Sequence, residues 1–172
     1  MMVETIYKRL AAADPSIPKN ILANKIFGGN LRIIFMGGAH LDPFYIDKFA
    51  EYGIDIYEGY GMSECSPVIS SNLPGCHKTG SIGRPLSNAE ISFDNGEILV
   101  RGTSVMKGYY NMPKETAETL RDGWLHTGDK GYIDEDGFLF INGRVKNLII
   151  LSNGENISPE EIENKLALDD LV

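Results

Sequence analysis

The sequence predicts an α/β piece followed by a small β-rich unit, and three observations carry that reading. Residues 31–60 run strand, helix, strand within about thirty residues, the pattern of a βαβ unit with parallel strands. Beyond residue 66, short apolar runs (ISF, EILV, FLFI) alternate with Gly-rich turns, as in a small antiparallel sheet or open barrel. After residue 143 the pattern changes again, to one strand and a strongly capped helix start. The domain reading is therefore 1–143, comprising an α/β piece over 1–70 and a β-rich part over 80–143, followed by a unit over 144–172.

Each element has a local reason. MMVETIYKRLAAADPS reads as an amphipathic helix, with Glu4 four residues before Lys8, and lacks the apolar centre of a signal peptide. Residues 26–30 read as a loop. LRIIFM, 31–36, is a continuous apolar run that fits a strand buried on both faces. Asp42-Pro43 is an N-cap with proline at the first helical position. Phe44, Ile46, Phe49 and Ala50 give that helix its apolar face, and Gly53 stops it. IDIYEGY, 54–60, is the next strand. Asp94-Asn95-Gly96 and Asp134 to Gly137 are hairpin turns. Pro113 starts a helix that runs to about Leu120. Residues 144–147 form a polar break, Leu148 to Leu151 a strand, and SNGENIS a loop with no strand after it. Ser158-Pro159-Glu160-Glu161 is an N-cap, a proline and a capping box.

Composition narrows function. The 172 residues carry a net charge of −8, which argues against a nucleic-acid footprint. There is no apolar run near 18 residues, hence no expected transmembrane helix. Cys65 and Cys76 lack metal-ligand spacing, which fits a reduced, cytoplasmic chain. His40, His77 and His126 show no metal or triad spacing, and each reads as a satisfied or solvated histidine. Nothing matches GxxxxGKS/T, and no Gly/Ser/Thr-rich loop follows a strand to cradle a triphosphate.

Four stretches have residue types suited to a ligand. EGYGMSECSP, 58–67, follows a parallel strand, where open α/β sheets bind ligands. There Tyr60 offers a ring to a base, Ser63 a hydroxyl to a phosphate, and Glu64 a carboxylate to a hard cation such as Mg²⁺. The plainer alternative is a strand-to-loop turn with a partly buried tyrosine. MGGAH, 36–40, ends the neighbouring strand, and its glycines permit close approach to a planar ligand; alone it reads as an ordinary turn. In DGWLHTGDKG, 122–131, Asp129 reads as an exposed acid on a glycine turn, suited to the two hydroxyls of a ribose. In GRVKNLI, 143–149, Arg144 is a strand-end cation for a phosphate or ribose oxygen. For a lone acid or a lone arginine, surface charge is the simpler reading.

The ordered set GGA, YGMSE, GYY-N-P-ET, DGWLHTGD, DGFLFINGRVKNLII and NGENISPEEIE resembles the adenylate-forming (AMP-binding) superfamily, and within it the acyl-CoA synthetases, or fatty acid–CoA ligases. The resemblance covers nearly the whole chain and is weakest over the first 30 residues. It implies the C-terminal part of a large adenylating domain, then a hinge and the truncated start of an α+β lid domain. It implies a carboxylic acid, ATP and coenzyme A as substrates, with Mg²⁺. Gly38 and Ala39 match positions lining adenine and the acyl group, and Tyr60 the adenine-stacking aromatic. Ser63 matches the phosphate-contacting hydroxyl, Glu64 the Mg²⁺ glutamate and Asp129 the ribose aspartate. Arg144 matches an arginine near ribose and phosphate, Lys146 the hinge position, and Gly154 a glycine beside the pantetheine channel. Such enzymes are several times longer, with a phosphate-holding loop upstream and an adenylation lysine downstream. The chain alone is therefore expected to be an inactive fragment. Alternatives are a ligase for acyl or aryl acids that loads an acyl carrier protein, and a non-catalytic nucleotide-binding or scaffold module. Peripheral membrane contact and dimerisation stay open.

Overall fold

The computed structural model describes residues 2–39, 41–145, 149–150 and 156–157. The first part holds α1 (Met2–Ala11), α2 (Lys19–Phe27), β1 (Ile33–Met36), α3 (Pro43–Ala50) and β2 (Asp55–Gly61). β1 and β2 are parallel, with Ile33 opposite Asp55 and Met36 opposite Glu58, as the βαβ reading expects. β3 (Val68–Ser71) and β4 (Arg84–Pro85) extend the sheet antiparallel, giving the order β1-β2-β3-β4.

α3 begins as its sequence dictates. The Asp42 carboxylate accepts the Phe44 N–H at 2.8 Å, and Pro43 occupies the first turn, where its missing N–H costs nothing. Val3, Leu10, Leu22, Leu41, Phe49, Ile54 and Ile56 form one core, with Ile34, Met36, Tyr45 and Ile46 packed against it. Two expectations about this layer are corrected. β1 is not buried on both faces, for Phe35 is 59% exposed and Ile33 38%. β1 lies at a sheet edge, and the helical core packs only on the face of Ile34 and Met36. The buried face of α3 is Tyr45, Ile46 and Phe49, while Phe44 and Ala50 are exposed. The Phe44 ring instead meets the edge of Tyr7 and lies under the Lys48 ammonium.

α2 was not legible as a helix. Residues 26–30 read as a loop, yet Ile26 and Phe27 are helical, and the helix closes at Gly28 in the left-handed region, with φ 74°. Pro18 at its N-cap offers no side-chain bond, and its apolar residues split between buried Leu22 and exposed Ile21 and Ile26. Neither a cap nor a clean stripe marks it.

The second sheet contains β5 (Ala89–Asp94), β6 (Glu97–Gly102), β7 (Leu120–Arg121), β8 (Trp124–Ile133) and β9 (Leu139–Arg144). It is antiparallel, in the order β5-β6-β8-β7, with β9 on the far half of β8, and it curls as a half-barrel. Asn95 and Gly96 take positive φ at the expected β5–β6 hairpin, and the Asp134 to Gly137 turn joins β8 to β9. Ile98, Val100, Leu125 and Leu139 pack with Ile69 of β3 and with Cys65 from the turn between β2 and β3, so the two sheets share a second core. α4 (Pro113–Thr119) starts at its proline and leads directly into β7.

Two expectations beyond residue 143 are corrected. β9 runs through Arg144, which pairs opposite Asp129, so no break begins there. β10 (Ile149–Ile150) is not left unpaired, since β11 (Asn156–Ile157) joins it antiparallel inside the stretch read as a loop. Two residues are too few to show an alternating pattern. His40, Lys146, Gly154 and the Ser158 capping box lie outside the described residues. Among the described residues, no helix is long and apolar enough to cross a membrane.

Candidate functional site

Asp129 sits mid-strand in β8, at 5% exposure, which overturns its reading as an exposed acid on a turn. The actual turn is Asp122-Gly123, both at positive φ, which links β7 to β8. What mimicked a turn at Gly128 is a bulge. Between the Glu97–Lys130 and Leu99–His126 pairs, β8 inserts Thr127, Gly128 and Asp129 against the single Ile98. Gly128 takes φ 75°, open to glycine at no steric cost.

Side chains staple this bulge. The Thr127 hydroxyl donates to the Ile98 carbonyl at 2.8 Å and accepts the Asp129 N–H at 3.1 Å. The Glu97 carboxylate accepts the Gly128 N–H at 2.9 Å, and its other oxygen faces His126 Nδ1 at 2.9 Å. Arg121 Nη2 approaches the same His126 nitrogen at 2.6 Å, so the ring is held between Glu97 and Arg121 within the sheet. The Asp129 carboxylate then meets two donors. Tyr60 donates its hydroxyl to Oδ2 at 2.6 Å, and Arg144 Nε lies 3.0 Å from Oδ1. An ionised carboxylate has about four acceptor positions, so roughly two remain for a ligand.

Tyr60 stands at the end of β2, where the register with β3 shifts. Its ring packs against the second core, while its hydroxyl is spent on Asp129. Burial, reinforced by the Asp129 bond, pushes that hydroxyl well above the usual phenol range, so it remains a neutral donor. Beyond it, Gly61 runs so close to Pro67 that a Cβ would overlap the Pro67 carbonyl oxygen. The Met62 N–H donates to that same oxygen at 2.8 Å, closing a tight loop. Ser63 and Glu64 ride on this loop in a short 3₁₀ turn, pinned by fully buried Cys65. Burial raises the Cys65 thiol to about 11, as for an inert core sulfur. Ser63 is exposed; Glu64 is half-buried and accepts the Tyr109 hydroxyl at 2.7 Å.

Gly38 and Ala39 are exposed at the end of β1, next to the end of β2, as the parallel pairing requires. Tyr60, Asp129 and Arg144 are thus joined by direct bonds, while Gly38, Ala39, Ser63 and Glu64 lie along the ends of β1 and β2. The sequence reading missed Glu97, Thr127 and Tyr109. Thr127 and Tyr109 lay within quoted motifs, and Glu97 follows directly on a recognised hairpin turn.

Mg²⁺ suits this site only as a shared ligand. Among the described residues no cluster of three His, Cys, Asp or Glu could hold a metal ion. A lone Glu64 carboxylate fits the manner in which Mg²⁺ binds through one or two carboxylates, substrate phosphates and water.

Glu58, unused by these contacts, is buried on β2 and accepts the Leu41 N–H at 3.3 Å. Burial raises its carboxyl from 4.5 to about 7, and the Leu41 bond offsets this only partly. The folded state therefore holds the proton more tightly than the unfolded one. Its contribution to stability is complete below pH 4.5 and is lost as pH rises through about 7. Glu58→Gln should be near neutral at pH 4.5 and stabilising at pH 8, by about 3 kcal/mol. Thermal melts at both pH values check this; a pH-independent difference would contradict it.

Comparisons with known proteins converge on one family. The family model described as AMP-binding enzyme matches residues 1–110. A long-chain-fatty-acid–CoA ligase of Bacillus subtilis (strain 168) is 43% identical over 151 residues, covering 80% of this chain and 27% of that protein. A 2-succinylbenzoate–CoA ligase of Bacillus cereus (strain Q1) is 39% identical, covering 84% of this chain and 32% of its own length. The chain thus spans about a third or less of these relatives. An O-succinylbenzoate coenzyme A synthetase from Bacillus subtilis, solved with AMP, superposes with a TM-score of 0.78 at 32% identity, over 98% of this chain and 34% of that one. Another structure of that synthetase, with ATP and magnesium ion, gives 0.77 at 32% identity, over 97% and 34%. With more than half its length matched by the family model, and with relatives of this identity, the chain belongs to the AMP-binding enzyme family.

Proposed function

We propose that this chain is part of an ATP-dependent acyl-CoA synthetase. In the reaction, a carboxylate oxygen attacks the α-phosphorus of ATP, forming an acyl-adenylate and expelling pyrophosphate. The coenzyme A thiol then displaces AMP to give the thioester. The carrying observation is the buried Asp129 carboxylate, clamped by Tyr60 and Arg144 with two acceptor positions to spare. A ribose diol matches that acceptor.

Within the proposal, each residue has a role. Asp129 takes the ribose hydroxyls, and Tyr60 holds Asp129 while presenting its ring to adenine. Gly38 and Ala39 let adenine and the acyl group approach the backbone. Arg144, still largely exposed, keeps donors for ribose or phosphate oxygens. Ser63 donates to phosphate, and Glu64 helps hold Mg²⁺. The cation would offset phosphate charge when bound. Lys146 serves as the hinge between units 1–143 and 144–172, and Gly154 borders the pantetheine channel. Cytoplasmic placement belongs to the same reading.

A fatty acid is the favoured substrate, supported by the long-chain ligase at 43% identity. An aryl acid is the second reading, supported by the 2-succinylbenzoate ligase at 39%. Enzyme and scaffold are separated by grafting residues 1–145 in place of the matching stretch of the Bacillus subtilis long-chain ligase. The expected result is fatty-acid-dependent exchange of pyrophosphate into ATP, lost with Asp129→Ala. A folded graft that binds AMP without any exchange would contradict the catalytic reading.

A further inference from the structure

The motif GYY-N-P-ET enters the site only through the Tyr109 bond to Glu64. Its two tyrosines behave differently. Tyr110 is 90% exposed, whereas Tyr109 is half-buried and donates its hydroxyl to Glu64 Oε1 at 2.7 Å. The two residues are 45 positions apart, so a tertiary contact and not local geometry brings them together.

The loop that delivers Tyr109 is built for this. Met106 N–H donates to the Glu64 carbonyl at 2.7 Å, so the loop grips both the main chain and the side chain of Glu64. The Thr116 hydroxyl, on α4, accepts the Tyr109 N–H at 2.9 Å and donates to the Met112 carbonyl at 2.7 Å. Gly108 passes tightly against Thr116, where a Cβ would lie 2.8 Å from its methyl. Glycine is required there both by that approach and by a φ of 149°. The motif glycine, first tyrosine and threonine thus form one clamp, and its output is a single hydroxyl on a single carboxylate oxygen.

We propose that Tyr109 is a positioning residue for Glu64, occupying Oε1 and leaving Oε2 as the oxygen for the cation that accompanies the ATP phosphates. This rests on the reading of Glu64 as the cation-associated carboxylate. A glutamate has three side-chain torsions, and a carboxylate already anchored loses less freedom when a ligand binds. With Oε1 anchored by one bond, Oε2 keeps both of its acceptor positions for the cation. Such outer partners of a metal carboxylate are worth about 10- to 100-fold in metal affinity.

The test titrates Mn²⁺ into this chain at saturating ATP, reading paramagnetic broadening of the backbone amides of residues 63–65. ATP affinity in a chelator is measured in parallel. Tyr109→Phe, which removes one oxygen and keeps the ring, should raise the Mn²⁺ half-saturation about tenfold. It should leave metal-free ATP affinity unchanged. Tyr110→Phe should change neither. Thr116→Ala should weaken Mn²⁺ binding, and Thr116→Ser should restore it. If Glu64→Gln weakens Mn²⁺ binding and Tyr109→Phe does not, the positioning role is wrong while the Glu64 reading stands. If Glu64→Gln has no effect, or no broadening occurs near residue 64, the cation reading falls and this inference with it.

Discussion

Asp129→Ala is expected to weaken AMP binding by this chain by about 100-fold, since two hydrogen bonds to a charged acceptor are worth roughly 3 kcal/mol together. The substitution does more than delete a ligand contact. It leaves the buried Tyr60 hydroxyl without its acceptor and Arg144 Nε without its carboxylate. That should cost about 1–3 kcal/mol of stability. For a chain of this size the melting temperature should fall by roughly 3–10 °C. Asp129→Asn keeps one acceptor oxygen and should lie between the two in both respects. Calorimetric titration with AMP beside a thermal melt separates the effects. Wild-type affinity in a destabilised Asp129→Ala protein would mean that the carboxylate is structural and not a ligand group.

Gly61→Ala is expected to be the most damaging single methyl in the site. The added Cβ would overlap the Pro67 carbonyl oxygen, which already accepts the Met62 N–H at 2.8 Å. Backbone faces backbone here, so no side chain can swing aside. The loop over residues 62–67 must open, losing that bond and disturbing the seat of Cys65 in the second core. Overpacking of this kind costs about 3 kcal/mol or more. The melting temperature should fall by about 10 °C. Ser63 and Glu64 would be displaced together, since both ride on this loop. A melt within about 2 °C of wild type would show that the loop relaxes freely.

Legibility in the sequence followed the range of the interaction. The Asp42-Pro43 cap and the Asn95-Gly96 and Asp134 to Gly137 turns were read correctly, because their chemistry is complete within four residues. The βαβ pairing was also legible, from length and apolar pattern alone. Lost were features set by what packs on what. β1 reads as a doubly covered strand, and only its edge position shows that Phe35 faces out. Asp129 reads as a turn residue because Gly128 carries a turn signal. Pairing of β8 with β6 and β9 converts that signal into a bulge inside a strand, and the acid becomes buried. The residue types at the site were therefore readable, but their support was not. Glu97, Thr127 and Tyr109 act across 31, 29 and 45 positions of sequence, where spacing carries no information.

The central claim is that the Tyr60–Asp129–Arg144 cluster is a receptor for a ribose diol. The most direct measurement compares AMP with its 2′,3′-dideoxy analogue by calorimetric titration of this chain, in wild type and in Asp129→Ala. The account predicts that wild type loses at least about tenfold in affinity for the dideoxy compound, and that the gap closes in Asp129→Ala. Equal affinity of wild type for the two nucleotides would contradict it.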